Sequence, residues 1–292
     1  MQPPYERQQA RWQKTGGQNQ ILLLSGELLS KTIYWANHKR LSQQDRDFLI
    51  DSIIRTRNCE SMVLEEEKLE VSEIVKRLWP TLKSKTENPY STLQEILAWT
   101  ECQPFLTQRI IELISLDDSI ILMGEESQKV QLIIEKHFTK APKDPSIARH
   151  FNSLHRLVTR NERQKVFWLL FGYRKGLQAQ KNSKDYDREI RSSIIFLQSI
   201  GLLIESQGLL KVRNHIYQSI FDEEWVNTQM IPLRPYTQKF VNWLDADCED
   251  DSQLLNGKEM QDAMKWKESS GLVLTALEEK FLAYSLDIYI AN

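Results

Sequence analysis

The chain has 292 residues, 41% of them hydrophobic, which is enough to bury the cores of about two domains. Its 38 basic and 40 acidic residues leave a net charge of −2, so polyanions cannot be held by bulk charge and any nucleic-acid contact must be local. Three scattered cysteines, Cys59, Cys102 and Cys248, write neither a disulfide framework nor a thiolate zinc site, and a reducing compartment is expected.

The first residues, Met1 to Arg7, lack the basic start and apolar run of a secretory signal. Apolar runs such as Ile194 to Leu197 fall far short of the roughly 20 residues that span a bilayer. A cytoplasmic protein without membrane contact is therefore expected. No glycine loop of the phosphate-cradling kind occurs, which excludes ATP hydrolysis by a P-loop. Charge is segmental: residues 1–60 carry net +3, 61–137 net −6, 138–220 net +9 and 221–292 net −8.

Taken in chain order, residues 1–60 read as a helical module that returns at 227–292. Pro4-Tyr5, Trp12, Leu24, Gly26 and Trp35 match Pro235-Tyr236, Trp243, Leu255, Gly257 and Trp266 at a constant separation of 231 residues. After two inserted residues, Leu41, Ser42, Phe48, Leu49 and Ser52 pair with Leu274, Thr275, Phe281, Leu282 and Ser285. Each copy predicts an opening helix with the first Trp, a linker, a helix from the Gly through the second Trp, and a last helix. Ser42 with Asp45, and Thr275 with Glu278, have the spacing of a capping box at the start of that last helix. Trp12, Trp35, Trp243 and Trp266 are expected to fill the module cores, an exposed Trp binding patch being the lesser reading. The shared residues are packing residues, without a shared acid, base or nucleophile, which favours interaction over catalysis.

Residues 61–90 form an acidic helical linker ending in the turn around Asn88-Pro89. In 91–145, a helical subdomain, Leu93, Ile96, Leu97 and Trp99 make one apolar face. Pro104 then opens a helix carrying Leu106, Ile110, Leu113 and Ile114. In 146–226 the stripe Ile147, Phe151, Leu154, Val158 is followed by the uniformly apolar Val166 to Phe171, and then by Ile190, Ile194, Leu197 and Ile200. Two short apolar runs around Gln207-Gly208 make a hairpin. Three helices and then a hairpin is the order of a winged helix, with a single helix from His215 to Val226 leaving it. Arg188 and Arg191 fall on the polar face of its third helix, and Lys211 and Arg213 on the wing. The fold class expected is mainly α: a helical subdomain plus a winged helix with one small β-hairpin, flanked by two copies of a helical module.

Other chemistry is discounted. Of His38, His137, His150, His155 and His215, only His150 and His155 are near neighbours, and a spacing of five takes them off a common face, so no metal site is expected. Cys102 reads as a buried inert thiol, and the carboxylate runs Glu65 to Glu67 and Glu249 to Asp251 read as solvated surface.

The segment Leu97-Ala98-Trp99-Thr100-Glu101-Cys102-Gln103-Pro104-Phe105-Leu106-Thr107-Gln108 resembles the helical lid of cyanobacterial AAA-like proteins of the STAND signalling class. The stretch Val212-Arg213-Asn214-His215 through Trp225-Val226 is similar to their winged-helix exit, and Leu233-Arg234-Pro235-Tyr236 to the start of the module that follows. The resemblance covers residues 90–290 directly and the first 55 through the repeat. It implies a lid, a winged helix and helical modules. The family's nucleotide-binding core has no counterpart before residue 90, and its lid glycines, in the pattern Gly-Gly-Gln-Pro, are replaced by Glu101-Cys102. The function expected is thus a non-catalytic regulatory or scaffolding adaptor with no cofactor, docking a protein partner. Arg188, Arg191, Lys211 and Arg213 would contact an acidic surface, either the chain's own C-terminal module or a partner, while the modules supply apolar contact. The alternative is a DNA-binding transcriptional regulator using the same winged helix.

Overall fold

The computed structural model describes residues 5–17, 19–37, 39–56, 62–180 and 187–291; Pro4, His38 and Cys59 of the sequence reading lie outside them. Among the described residues the protein is mainly α-helical, with a single two-stranded sheet, and no helix is long and apolar enough to cross a membrane. The chain folds as two compact units. One takes in the residues up to Pro145 with Glu205–Gln207 and Arg213–Ser219; the other takes in Ser146–Ile204, Gly208–Val212 and the residues from Ile220 onward.

In the first unit, α1 (Glu6–Lys14), α2 (Gly26–Ala36) and α3 (Gln43–Arg55) form a module against which α4 (Met62–Ser84) packs, followed by α5 (Pro89–Thr100), α6 (Pro104–Leu116) and α7 (Glu126–His137). Starts of α5 and α6 are set by side-chain caps: Asn88 Oδ1 accepts from Ser91 N–H at 3.4 Å and Gln103 Oε1 from Leu106 N–H at 2.6 Å, each followed by a proline at the first helical position. Leu93, Ile96, Leu97, Leu106, Ile110, Leu113 and Ile114 are buried as their spacing requires, while Trp99 is only half-buried. Helix α7, with Val130, Ile133 and Ile134 inward, is an element the sequence reading did not assign.

In the second unit, α8 (Pro145–Thr159), α9 (Arg163–Leu177) and α10 (Arg188–Ser199) precede the hairpin of β1 (Leu203–Ser206) and β2 (Leu209–Val212). Gln207 and Gly208, at φ 55° and 73°, turn the hairpin in the left-handed region, whose twist suits a two-residue connection. A Cβ on Gly176 would overlap Leu203, so this glycine lets the hairpin lie directly on α9. The exit segment departs from expectation. Instead of one helix from His215 to Val226 there are α11 (His215–Ile220), which belongs to the first unit up to Ser219, and α12 (Glu223–Met230) in the second. Asp222 breaks the run by accepting Trp225 N–H at 2.9 Å, starting a new helix. Then come α13 (Thr237–Asp245), α14 (Gly257–Ser270) and α15 (Ala276–Ala291), the second module.

The two modules repeat one geometry. Each has a 3₁₀ turn between its first two helices, Gln20–Leu22 and Asp251–Gln253. Tyr5 meets Phe48 at 5.7 Å and 33° and Trp12 meets Phe48 at 5.3 Å and 62°; the counterparts are Tyr236 with Phe281 at 5.9 Å and 31° and Trp243 with Phe281 at 5.3 Å and 57°. The buried Ser52 Oγ accepts Leu24 N–H at 3.1 Å, and Ser285 Oγ accepts Leu255 N–H at 3.0 Å. The capping boxes differ. In copy 1 Ser42 and Asp45 satisfy each other's backbone N–H, whereas in copy 2 only Thr275 caps, because Glu278 is drawn to the buried Arg234.

Candidate docking surfaces

Helix α10 turns Ile190, Ile194 and Leu197 inward, which leaves Arg188, Arg191 and Ile195 exposed along its other side, three and seven residues apart. Next to this side Lys165 Nζ sits 5.2 Å above the ring of Phe196. Lys211, on β2, is half-buried. Three of the four basic residues singled out in the sequence therefore reach solvent in the second unit.

Arg213 does not. It is 2% exposed and belongs to the first unit, where its guanidinium bridges Glu67 of α4 at 2.6 and 2.9 Å and donates to the carbonyl of Glu101 at 3.3 Å. Asn214 extends this latch by donating to Thr100 O at 3.4 Å and accepting Tyr217 N–H at 2.8 Å. A guanidinium so enclosed is a structural tie, not a surface contact. The expectation that Arg213 projects from the wing is corrected accordingly. Beside this tie His215 meets Trp99 edge-on at 5.8 Å, in a shallow cavity of about 620 Å³ lined by Ala98, Glu101, Gln218 and Ser219.

The four tryptophans sort by position in the module. Trp12 and Trp243 are 8% and 0% exposed; Trp35 and Trp266 are half-buried, edge-on to Tyr5 at 5.9 Å and to Tyr236 at 5.6 Å. They close the modules.

Residues that sequence reasoning missed lie on α9. Arg174 and Lys175 stand in the last turn of the helix, and together they hold Asp245 at the end of α13; Lys175 Nζ is 2.9 Å from Asp245 Oδ1, Arg174 pairs with Oδ2, and Glu223 is 3.6 Å from Arg174. Arg234 is 1% exposed, pairs with Glu278 at 0% exposed, and lies 4.1 Å over the ring of Phe167. Tyr236 donates to the same carboxylate at 2.9 Å, and burial followed by that negative charge pushes its phenol well up. Module 2 is thus fixed to α9 by ion pairs as well as by the stacking of Phe167 on Phe240 at 5.5 Å. On α8, His155 lies edge-on to Trp225 at 5.7 Å, and burial, with Arg156 and Arg160 nearby, lowers its pKa.

No protein-family model matches the chain, and no solved structure does. Over 194 residues, 62% of this chain, it is 32% identical to an uncharacterized WD repeat-containing protein of Synechocystis sp.. That stretch is 15% of the length of the Synechocystis protein, so the chain corresponds to a small part of it.

Proposed function

We propose that this chain is a non-catalytic adaptor that docks an acidic protein surface through the exposed side of α10, with the three helices and hairpin acting as a winged helix. The observation that supports the reading is the seat of Asp245: within the chain, α9 receives the acidic end of α13 with Arg174 and Lys175. Arg188, Arg191 and Lys211 offer the same chemistry to a partner. Descent from the STAND class is supported by the backbone of Glu101 and Cys102, whose φ of 45° and 54° are values that glycine adopts freely at the two lid positions where the family has it. The likeness to part of a WD repeat-containing protein supports an interaction role.

The test is capture of a partner from native extract by the wild-type chain and by Arg188→Glu/Arg191→Glu, scored at low and moderate salt. Loss of at least tenfold in the double variant is expected. An electrophoretic shift of duplex DNA whose affinity falls steeply with salt would instead assign the face to nucleic acid and overturn the protein-docking reading.

A further inference from the structure

We propose that the outer side of α15 is a docking site for an amphipathic helix of a partner protein, seated as α4 is seated on the matching side of module 1. The inference rests on the docking reading and adds a second surface to it. Helix α3 is covered twice. Phe48, Leu49 and Ser52 close its own module, while Ile50, Ile53 and Ile54, 1%, 1% and 3% exposed, form a second buried stripe where α4 and α5 pack on α3. Beside this stripe Asp51 accepts from Ser72 Oγ at 2.5 Å and from Lys76 Nζ at 2.8 Å, both on α4.

Module 2 repeats only the first covering. Phe281, Leu282 and Ser285 are buried, but the positions matching Ile50, Ile53 and Ile54 are Ala283, Leu286 and Asp287, all exposed. With Ile290 they form a stripe at i, i+3, i+4 and i+7; Leu286 is 36% and Ile290 72% exposed, and Tyr284, 43% exposed, flanks it. A helix with apolar residues on both sides is built to be covered on both sides. The position of Asp51 is taken by Tyr284, and a carboxylate returns three residues on, as Asp287 within the stripe itself. A helix is the fitting occupant because the same module geometry already receives one in copy 1. Its chemistry follows from the stripe: aliphatic residues three and four apart, with a Lys or Arg set to meet Asp287. A second copy of the chain fits less well, since antiparallel pairing of two such stripes would bring the two Asp287 carboxylates together, and an acidic stripe is poorly suited to an anionic lipid surface.

The probe is a fluorescein-labelled peptide of residues 62–84, the sequence of α4, titrated into the full-length chain and followed by anisotropy. Saturable binding is expected, weakened at least tenfold by Leu286→Asp or Ile290→Asp, weakened less by the milder Leu286→Ala/Ile290→Ala pair, and unchanged by Leu157→Ser on α8. Circular dichroism checks that each variant keeps its helix content. Absent binding, or binding indifferent to Leu286 and Ile290, overturns the proposal. So does self-association, or binding to vesicles containing anionic lipid, that the same variants abolish, because either gives the stripe a different occupant. Partner capture that Arg188→Glu/Arg191→Glu removes but the α15 variants leave intact would retain the adaptor reading and sink this one alone.

Discussion

The repeat supplies an internal control on single residues. Where copy 1 has Gly16 and Gly17 at φ 67° and 76°, copy 2 has Asp247 and Cys248 at 53° and 65°. The bend after the first helix is kept at both places, because the N–H of Gly17 and of Cys248 returns to the carbonyl of the module's Trp at 3.0 and 2.9 Å. A side chain held in the left-handed region costs about 1–2 kcal/mol, partly offset by the lower entropy of its unfolded state. Asp247→Gly is therefore expected to raise stability by roughly 0.5–1 kcal/mol. Gly16→Ala, whose Cβ would meet nothing within 4 Å, should lower it by about 1 kcal/mol through the backbone alone. Denaturant midpoints of both variants measure this, and equal signs would refute it. His155 gives a pH test. Its folded pKa lies below the free value of about 6.5, so the unfolded chain binds the proton more readily. Stability from the neutral ring is whole above that pH and declines as pH falls below it. His155→Phe should flatten the loss between about pH 7 and 5 relative to wild type, and an unchanged slope would count against it.

At the scale of elements, the two last helices of the modules start alike and are braced differently. Asp45 of copy 1 completes a partly exposed capping box and receives Tyr5 Oη at 3.2 Å; Glu278 of copy 2 is wholly buried against Arg234. Asp45→Asn should thus cost only about 0.5–2 kcal/mol, as loss of a cap does. Glu278→Gln strands a buried guanidinium and should cost about 3–5 kcal/mol, whereas Arg234→Met with Glu278→Leu should recover most of that. Chemical denaturation of the three variants ranks them, and a Glu278→Gln as mild as Asp45→Asn would remove the buried pair from the account. The module fold itself was legible, since Trp, Tyr, Gly, Phe and Ser recur in the same order, 231 and then 233 residues apart, and the Tyr–Phe, Trp–Phe and Ser–Leu contacts are the same in both copies. The helical stripes of α5, α6, α8 and α10 were legible for the same kind of reason: apolar residues recur every three to four positions. Helix α7 shows that a stripe can be readable and still be passed over. The break at Asp222 was also written in the sequence, as a capping residue before two glutamates, but it was masked by the apolar run on either side.

At the scale of the whole chain, part of the segmental charge goes into internal pairing. The basic segment 138–220 and the acidic segment 221–292 meet inside the second unit, where Arg174 and Lys175 take Asp245 and Arg174 also faces Glu223. Composition could announce that two segments of opposite sign exist, but not which charges would be spent on each other. The partners are 70 and 71 residues apart in the chain, and Arg213 and Glu67 are 146 apart, beyond the reach of any local pattern. This is why Arg213 was read as surface and Arg174 and Lys175 were not read at all. Asp245→Asn leaves two cations, 13% and 8% exposed, facing a neutral amide, and should lower the stability of the second unit by about 2–4 kcal/mol, less than a fully buried pair because Asp245 itself is 23% exposed. Arg188→Ala, on the exposed side of α10, should leave stability within about 0.5 kcal/mol. Thermal and denaturant unfolding followed by tryptophan fluorescence and circular dichroism reads both. If Asp245→Asn proved as mild as Arg188→Ala, the pairing on α9 would contribute little to holding module 2, and the strongest support for a carboxylate-binding role of this fold would fall with it.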